Sequence, residues 1–166
     1  MGHNPFTNLP KRTKITVGIY FSIFLFLAIL VAITSRNVIF QAWTTRNWIS
    51  AVALGNNIYI FGGRNPDGTL CDEILQIDVT KSTLKRPAVF PYKCIGVNSV
   101  VLGDRIFILG GYDNKKYLDA VVEYNPLSQN VEIVMKMPKP LAYGNVASVY
   151  GNLYYIGGWD GNAFNT

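Results

Sequence analysis

Histidine is the side chain most often used to move protons or hold a metal near neutral pH. It occurs once in this chain of 166 residues, as His3 near the N-terminus. A lone histidine rules out Ser-His-Asp and Cys-His arrangements built from the rest of the chain, along with any metal site that depends on imidazole. The sequence also lacks a GxSxG elbow, a phosphate-cradling glycine loop and a CxxC pair. Cys71 and Cys94 have no metal-ligand spacing, so we read them as small apolar residues on strands, with a disulfide as the alternative in an oxidising compartment. No catalytic residue, metal or cofactor is expected.

What remains is a set of three short polar stretches. They are Arg64-Asn65-Pro66-Asp67-Gly68, Tyr112-Asp113-Asn114-Lys115-Lys116-Tyr117 and Trp159-Asp160-Gly161-Asn162. Asp67, Asp113 and Asp160 are carboxylates that could act as acids, although Asp, Asn and Gly also belong in turns for purely conformational reasons. Arg, Tyr and Trp mixed with short polar residues are the types that dominate protein-recognition surfaces. Arg64, Asn65, Asp67, Tyr112, Asp113, Asn114, Lys115, Trp159, Asp160 and Asn162 are therefore the candidate binding-face residues.

Each stretch directly follows a double glycine, at Gly62-Gly63, Gly110-Gly111 and Gly157-Gly158, with steps of 48 and then 47 residues. The residues before each pair read AVALGNNIYIF, SVVLGDRIFIL and ASVYGNLYYI: an apolar strand, a glycine-containing turn and a second apolar strand. Downstream, CDEILQIDVTKSTL (71–84) aligns with LDAVVEYNPLSQNV (118–131), giving a third strand, a turn and a fourth strand. A four-stranded unit thus recurs about every 50 residues.

On these residues the chain resembles the kelch family: a hydrophobic strand running into Gly-Gly, an acidic residue and a Tyr-Asn-Pro segment further on (Tyr124-Asn125-Pro126), and this period. The resemblance implies an all-β repeat fold, a partial β-propeller of about two and a half four-stranded antiparallel blades. Its blades would span 46–91, 92–140 and, in part, 141–166. The loops after each double glycine would emerge together around the channel, and Arg64 matches a position where kelch domains often carry a ligand-contacting Arg. Kelch repeats usually place a Trp on the fourth strand, seven residues past the third-strand Tyr; here Val131 and, in the first blade, Leu84 take that place. Copper-radical oxidases on this scaffold need His and Tyr ligands and are disfavoured, whereas sugar isomerases and mutarotases can use carboxylates and Arg. Propellers close with about four to eight blades. The expectation is therefore a truncated longer propeller, with completion by other chains as the alternative.

The N-terminal part has a different composition. Residues 15–34, ITVGIYFSIFLFLAILVAIT, contain no charged residue. At about 1.5 Å per residue in a helix, some 20 residues cross the roughly 30 Å core of a bilayer. We expect a basic cytoplasmic tail (1–14), a transmembrane signal-anchor helix (15–35) and a linker (36–45). Lys11, Arg12 and Lys14 precede the apolar run, and Trp43 and Trp48 follow it. By the positive-inside rule this puts the repeats on the exoplasmic side. The run is longer than a typical cleaved signal and lacks an A-x-A site. Of the 15 basic residues, three lie in that tail, which leaves 12 basic against 10 acidic residues after it. With a net charge of only +2 and no basic run interleaved with aromatics, nucleic acid is not an expected partner. The expected partners are the membrane and a protein.

Overall fold

The structure, a computed structural model, describes residues 23–27 and 45–165. They fall into two units, 1–45 and 46–166, each considered by itself. In the first unit, residues 23–27 are helical and exposed. The rest of the expected membrane span, 15–35, lies outside the described residues, as do the tail and most of the linker. Among the described residues no helix is long and apolar enough to cross a membrane.

The second unit is built from antiparallel strands. In the first blade, β1 (Ser50–Leu54), β2 (Asn57–Phe61), β3 (Glu73–Asp78) and β4 (Thr83–Val89) pair in chain order. The second blade repeats this with β5 (Asn98–Leu102), β6 (Arg105–Leu109), β7 (Ala120–Asn125) and β8 (Asn130–Lys136). A two-stranded sheet follows, β9 (Asn145–Val149) and β10 (Asn152–Ile156). Two blades and the inner half of a third are the arrangement the repeat spacing predicts. The fourth-strand substitutions keep their register, since Val131 lies opposite Tyr124 and Leu84 opposite Ile77. Both outer strands are offset by a register shift, between Ile74 and Gln76 and between Val121 and Val122.

The core forms between the first two blades. Phe61, Ile74, Ile106, Ile108, Val122 and Tyr124 are almost fully inaccessible to solvent and belong to one cluster. The Tyr124 ring meets Tyr59 and Phe61 edge-on, at centroid distances of 5.8 and 6.1 Å. The inner strands are tied to one another by side chains. The Ser50 hydroxyl lies 2.6 Å from that of Ser99 and accepts the Ser99 N–H at 2.8 Å. Further on, the Ser148 hydroxyl donates to the Val101 carbonyl.

The double glycines join one blade to the next. Gly63 N–H donates to the Cys94 carbonyl at 2.8 Å, and Gly111 N–H donates to the Leu141 carbonyl at 2.9 Å. Both acceptors lie in the segment that leads into the following blade. The preceding glycine makes room for that carbonyl: a Cβ at Gly62 would stand 2.7 Å from the Cys94 oxygen, and one at Gly110 would run into the Leu141 oxygen. Gly62 and Gly110 also have φ of 62° and 67°, a left-handed conformation that glycine adopts without steric cost. At Gly157 the same φ region is kept, but nothing lies within 4 Å of the Cβ position.

The comparison predicts an ordered pair of effects. Gly157→Ala should cost about 1–2 kcal/mol, the conformational penalty alone. Gly110→Ala should cost clearly more, because the methyl group also displaces the Leu141 carbonyl. Urea unfolding of the chain measures both, and equal losses would show that the carbonyl contact contributes nothing.

Candidate functional site

The chain direction through each blade divides its connections between two ends. The tight β1–β2, β3–β4, β5–β6, β7–β8 and β9–β10 turns lie at one end, and the longer loops that hold the candidate residues lie at the other. At the loop end the residue after each double glycine is fixed on both sides by backbone bridges. Arg64 bridges Asn47 and Leu70, Tyr112 bridges Ile95 and Tyr117, and Trp159 bridges Ala142 and Phe164. Two of these bridges bring aromatic rings together, with centroids 4.8 Å apart for Tyr112–Tyr117 and 4.7 Å for Trp159–Phe164.

Arg64 reaches across to the next blade. Its Nη2 donates to Asn114 Oδ1 at 3.0 Å, and its guanidinium carbon lies 4.9 Å from the centroid of the Trp48 ring. The Arg64 Nε is buried and has no hydrogen-bond partner, and no carboxylate among the described residues forms an ion pair with this side chain. A buried donor left unmet costs roughly 1–3 kcal/mol. Arg64 and Asn114 are therefore brought together, and the third loop reaches the same region from the other side: the Cβ position of Gly161 lies 2.9 Å from the Tyr117 ring.

The three acids have a different role. Asp67 Oδ1 accepts the Thr69 N–H, Asp113 Oδ1 accepts the N–H groups of Lys115 and Lys116, and Asp160 Oδ1 accepts those of Asn162 and Ala163. The Thr69 N–H lowers the Asp67 pKa, and those of Ala163 and Asn162 lower that of Asp160. At Asp113 burial pushes the pKa up, but the Lys116 and Lys115 N–H groups outweigh it and the net shift is downward. These are turn-forming carboxylates held ionised, whereas a general acid needs its pKa raised. Asn65 is likewise engaged within its own loop, donating to Thr69 and accepting the Cys71 thiol. The side chain of Lys115 and the whole of Asn162 stay exposed.

Sequence reasoning missed a row of residues fourteen positions before each double glycine: Trp48, Gly96 and Tyr143. Gly96 N–H donates to the Trp48 carbonyl at 3.3 Å, and Tyr143 N–H donates to the Gly96 carbonyl at 2.9 Å, so the row runs from blade to blade. All three have left-handed φ, of 55°, 64° and 61°. Gly96 must lack a side chain because the Tyr143 ring occupies the space, 2.5 Å from its Cβ position. Trp48 is 54% exposed and Tyr143 47% exposed, so both present ring surface beside Arg64. Trp48, read from sequence only as a flank of the apolar run, is part of this rim. The glycine phase itself was the signal that could have found the row.

Two other features contribute no chemistry to the site. Cys71 and Cys94 are free and buried just outside the strands, and burial raises both thiols, Cys94 to about 12, which leaves them poor nucleophiles. A cavity of about 440 Å³ beside β10 is lined by Leu109, Val121, Met135, Leu141, Leu153 and Tyr155 among others. At the equivalent place between the first two blades, Val122 and Tyr124 of β7 fill the space. Among the described residues no cluster of three or more metal-ligating side chains occurs.

The turn carboxylates make stability depend on pH in a defined direction. Asp78, in the β3–β4 turn, is held at about 2 by the Thr80 hydroxyl and the Lys81 N–H, and Asp67, Asp113 and Asp160 are lowered in the same sense. A depressed carboxyl pKa contributes stability that is complete above the unfolded value, about 4, and is lost as pH falls through the folded value. Circular dichroism from about pH 5 down to about pH 1 should show the folded fraction falling toward the acid end. A domain that gained stability on acidification would contradict this assignment.

Known proteins share this architecture. The KLHDC2/KLHL20/DRC7 Kelch-repeats domain matches residues 32–166. Kelch-like protein 35 of Mus musculus is 27% identical over 136 residues, covering 76% of this chain and 23% of its own length. Kelch-like protein 41 of Homo sapiens is 30% identical over 122 residues, covering 68% of this chain and 20% of its own. Alpha-scruin of Limulus polyphemus is 31% identical over 108 residues, covering 61% of this chain and 12% of its own. This chain thus spans less than a quarter of the length of each of these relatives. Among solved structures, that of YjhT superposes with a TM-score of 0.60 at 18% identity, over 70% of this chain and 40% of that one, a likeness of fold alone. The repeat spacing, the four-stranded blades and the family match over most of its length agree: this chain belongs to the kelch-repeat family.

Proposed function

We propose that the chain is a membrane-tethered kelch-repeat interaction module, with the repeats on the exoplasmic side and the loop end as its recognition surface for a protein partner. The observation that carries this reading is Arg64. It is half-buried against Trp48, linked across blades to Asn114, and has one donor unmet and no carboxylate partner among the described residues. Around it lie the exposed rings of Trp48 and Tyr143, which hold backbone conformations that bulky residues rarely adopt. Strain retained at such positions is typical of binding sites. The tether rests on the apolar run of residues 15–34 and its basic flank.

The second reading, a propeller enzyme acting on a carbohydrate, requires acids and Arg residues converging on the channel. The inner strands of the described blades read SAVAL, NSVVL and NVASV, with no charged side chain. Asp67, Asp113 and Asp160 are held in turns. The interaction module is the better supported of the two.

Two measurements test the proposal. Alkaline carbonate extraction should leave the full chain in the membrane pellet, and release into the supernatant would remove the tether. Proximity labelling in the native membrane, compared between wild type and Arg64→Ala, should show loss of the recovered partner, whereas Lys85→Ala on β4 should leave it in place. Loss of a hot-spot arginine typically costs about 2 kcal/mol or more of binding. Equal recovery with both variants would overturn the assignment of the face.

A further inference from the structure

The loop that receives the Arg64 hydrogen bond adds further positive charge at the loop end. Asn114, which accepts the Arg64 Nη2 hydrogen bond, is followed by Lys115 and Lys116, both exposed. Among the described residues none of Arg64, Lys115 and Lys116 takes part in an ion pair. The acid within this loop, Asp113, has its Oδ1 occupied by the N–H groups of the two lysines. Three cations thus sit on two loops joined by one hydrogen bond.

Arg64 is held in place before any ligand arrives. Trp48 stacks on the guanidinium and Asn114 fixes its Nη2, so its orientation does not have to be gained on binding. Asn114 itself has a φ of 71°, which for a residue other than glycine is uncommon. A planar guanidinium suits two oxygens of an anion, and flexible lysines on the facing loop act as point charges toward further oxygens. The rings of Trp48 and Tyr143 stand alongside, ready to cover the organic part of a ligand.

We propose that the corner formed by Arg64, Lys115 and Lys116 binds a tetrahedral oxyanion ester, a phosphate or sulfate monoester carried on the partner, in preference to a simple carboxylate. The geometry favours an ester for two reasons. Its three terminal oxygens offer acceptors to Arg64 and to the lysines of the facing loop, and a phosphate monoester brings about −1.5 to −2 charge at neutral pH to three cations that share the single negative charge of Asp113. A sulfate ester presents the same three oxygens with a single charge, so the shared group is the tetrahedral anion. This inference rests on the loop end being the recognition surface.

The test uses the full chain in nanodiscs and four fluorescent peptides of one sequence, carrying tyrosine, phosphotyrosine, sulfotyrosine or glutamate at the central position. Fluorescence anisotropy should show one or both ester peptides binding at least ten-fold more tightly than the tyrosine and glutamate peptides. The phospho and sulfo arms identify which ester is the ligand. Arg64→Gln should abolish the preference, Arg64→Lys should restore it only in part, and Lys115→Gln and Lys116→Gln should each weaken it several-fold. Lys85→Gln, on β4, should have no effect. Equal affinity for the glutamate and ester peptides would overturn the proposal and make this a carboxylate site. Failure of every peptide to bind, with partner labelling still dependent on Arg64, would overturn the ester assignment and leave the recognition surface standing. If labelling were also independent of Arg64, the recognition surface itself would fall.

Discussion

The meeting of a double glycine with the carbonyl that leads into the next blade is the constraint on which the rest of this unit depends. A carbonyl oxygen, from Cys94 or Leu141, must come so near the preceding blade's Gly62 or Gly110 that no side chain fits. Its hydrogen bond from Gly63 or Gly111 then fixes where the next inner strand begins. Hydrophobic burial between blades supplies most of the stabilisation but little direction. The joint supplies direction, because one backbone hydrogen bond at a left-handed turn sets the position of the following strands. Phe61, Ile74, Val122 and Tyr124 can then meet in one cluster.

The same joint positions the candidate residues of the loop end. Because the double glycine turns the chain at the loop end of every blade, the next residue emerges at the same place each time. Arg64, Tyr112 and Trp159 each lie between two backbone bridges for this reason. The blade-to-blade row of Trp48, Gly96 and Tyr143 then runs beside them, and alternation between aromatic and glycine lets the Tyr143 ring fold over its neighbour. The scaffold is thus repetitive while its rim is not. Repeats fix backbone positions, and side-chain type at those positions is free to specify a ligand.

Much of the architecture could be read directly from residue spacing. Gly62, Gly110 and Gly157 gave the period; the paired apolar runs gave the strands; Leu84 and Val131 kept their places opposite Ile77 and Tyr124 without the usual Trp. The rim was less legible. Trp48, Gly96 and Tyr143 share a backbone conformation and no chemistry, so comparison by residue type does not align them. Left-handed φ leaves a sequence trace only where glycine adopts it. Asp67, Asp113 and Asp160 posed the opposite difficulty. They looked alike as candidate acids, and only the hydrogen bonds reveal that backbone N–H groups hold each one in its turn.

The most direct test of this account is amide hydrogen exchange at the double glycines, read residue by residue in the folded chain. If Gly63 and Gly111 donate to the next blade's carbonyl, their amides should exchange only through unfolding of the whole blade pair. Protection matching that of the Val122 and Tyr124 amides in β7 is the predicted result. If Gly63 and Gly111 exchanged far faster than Val122 and Tyr124, the blades would be held together by side-chain packing alone. The double glycine would then be a turn and not a joint.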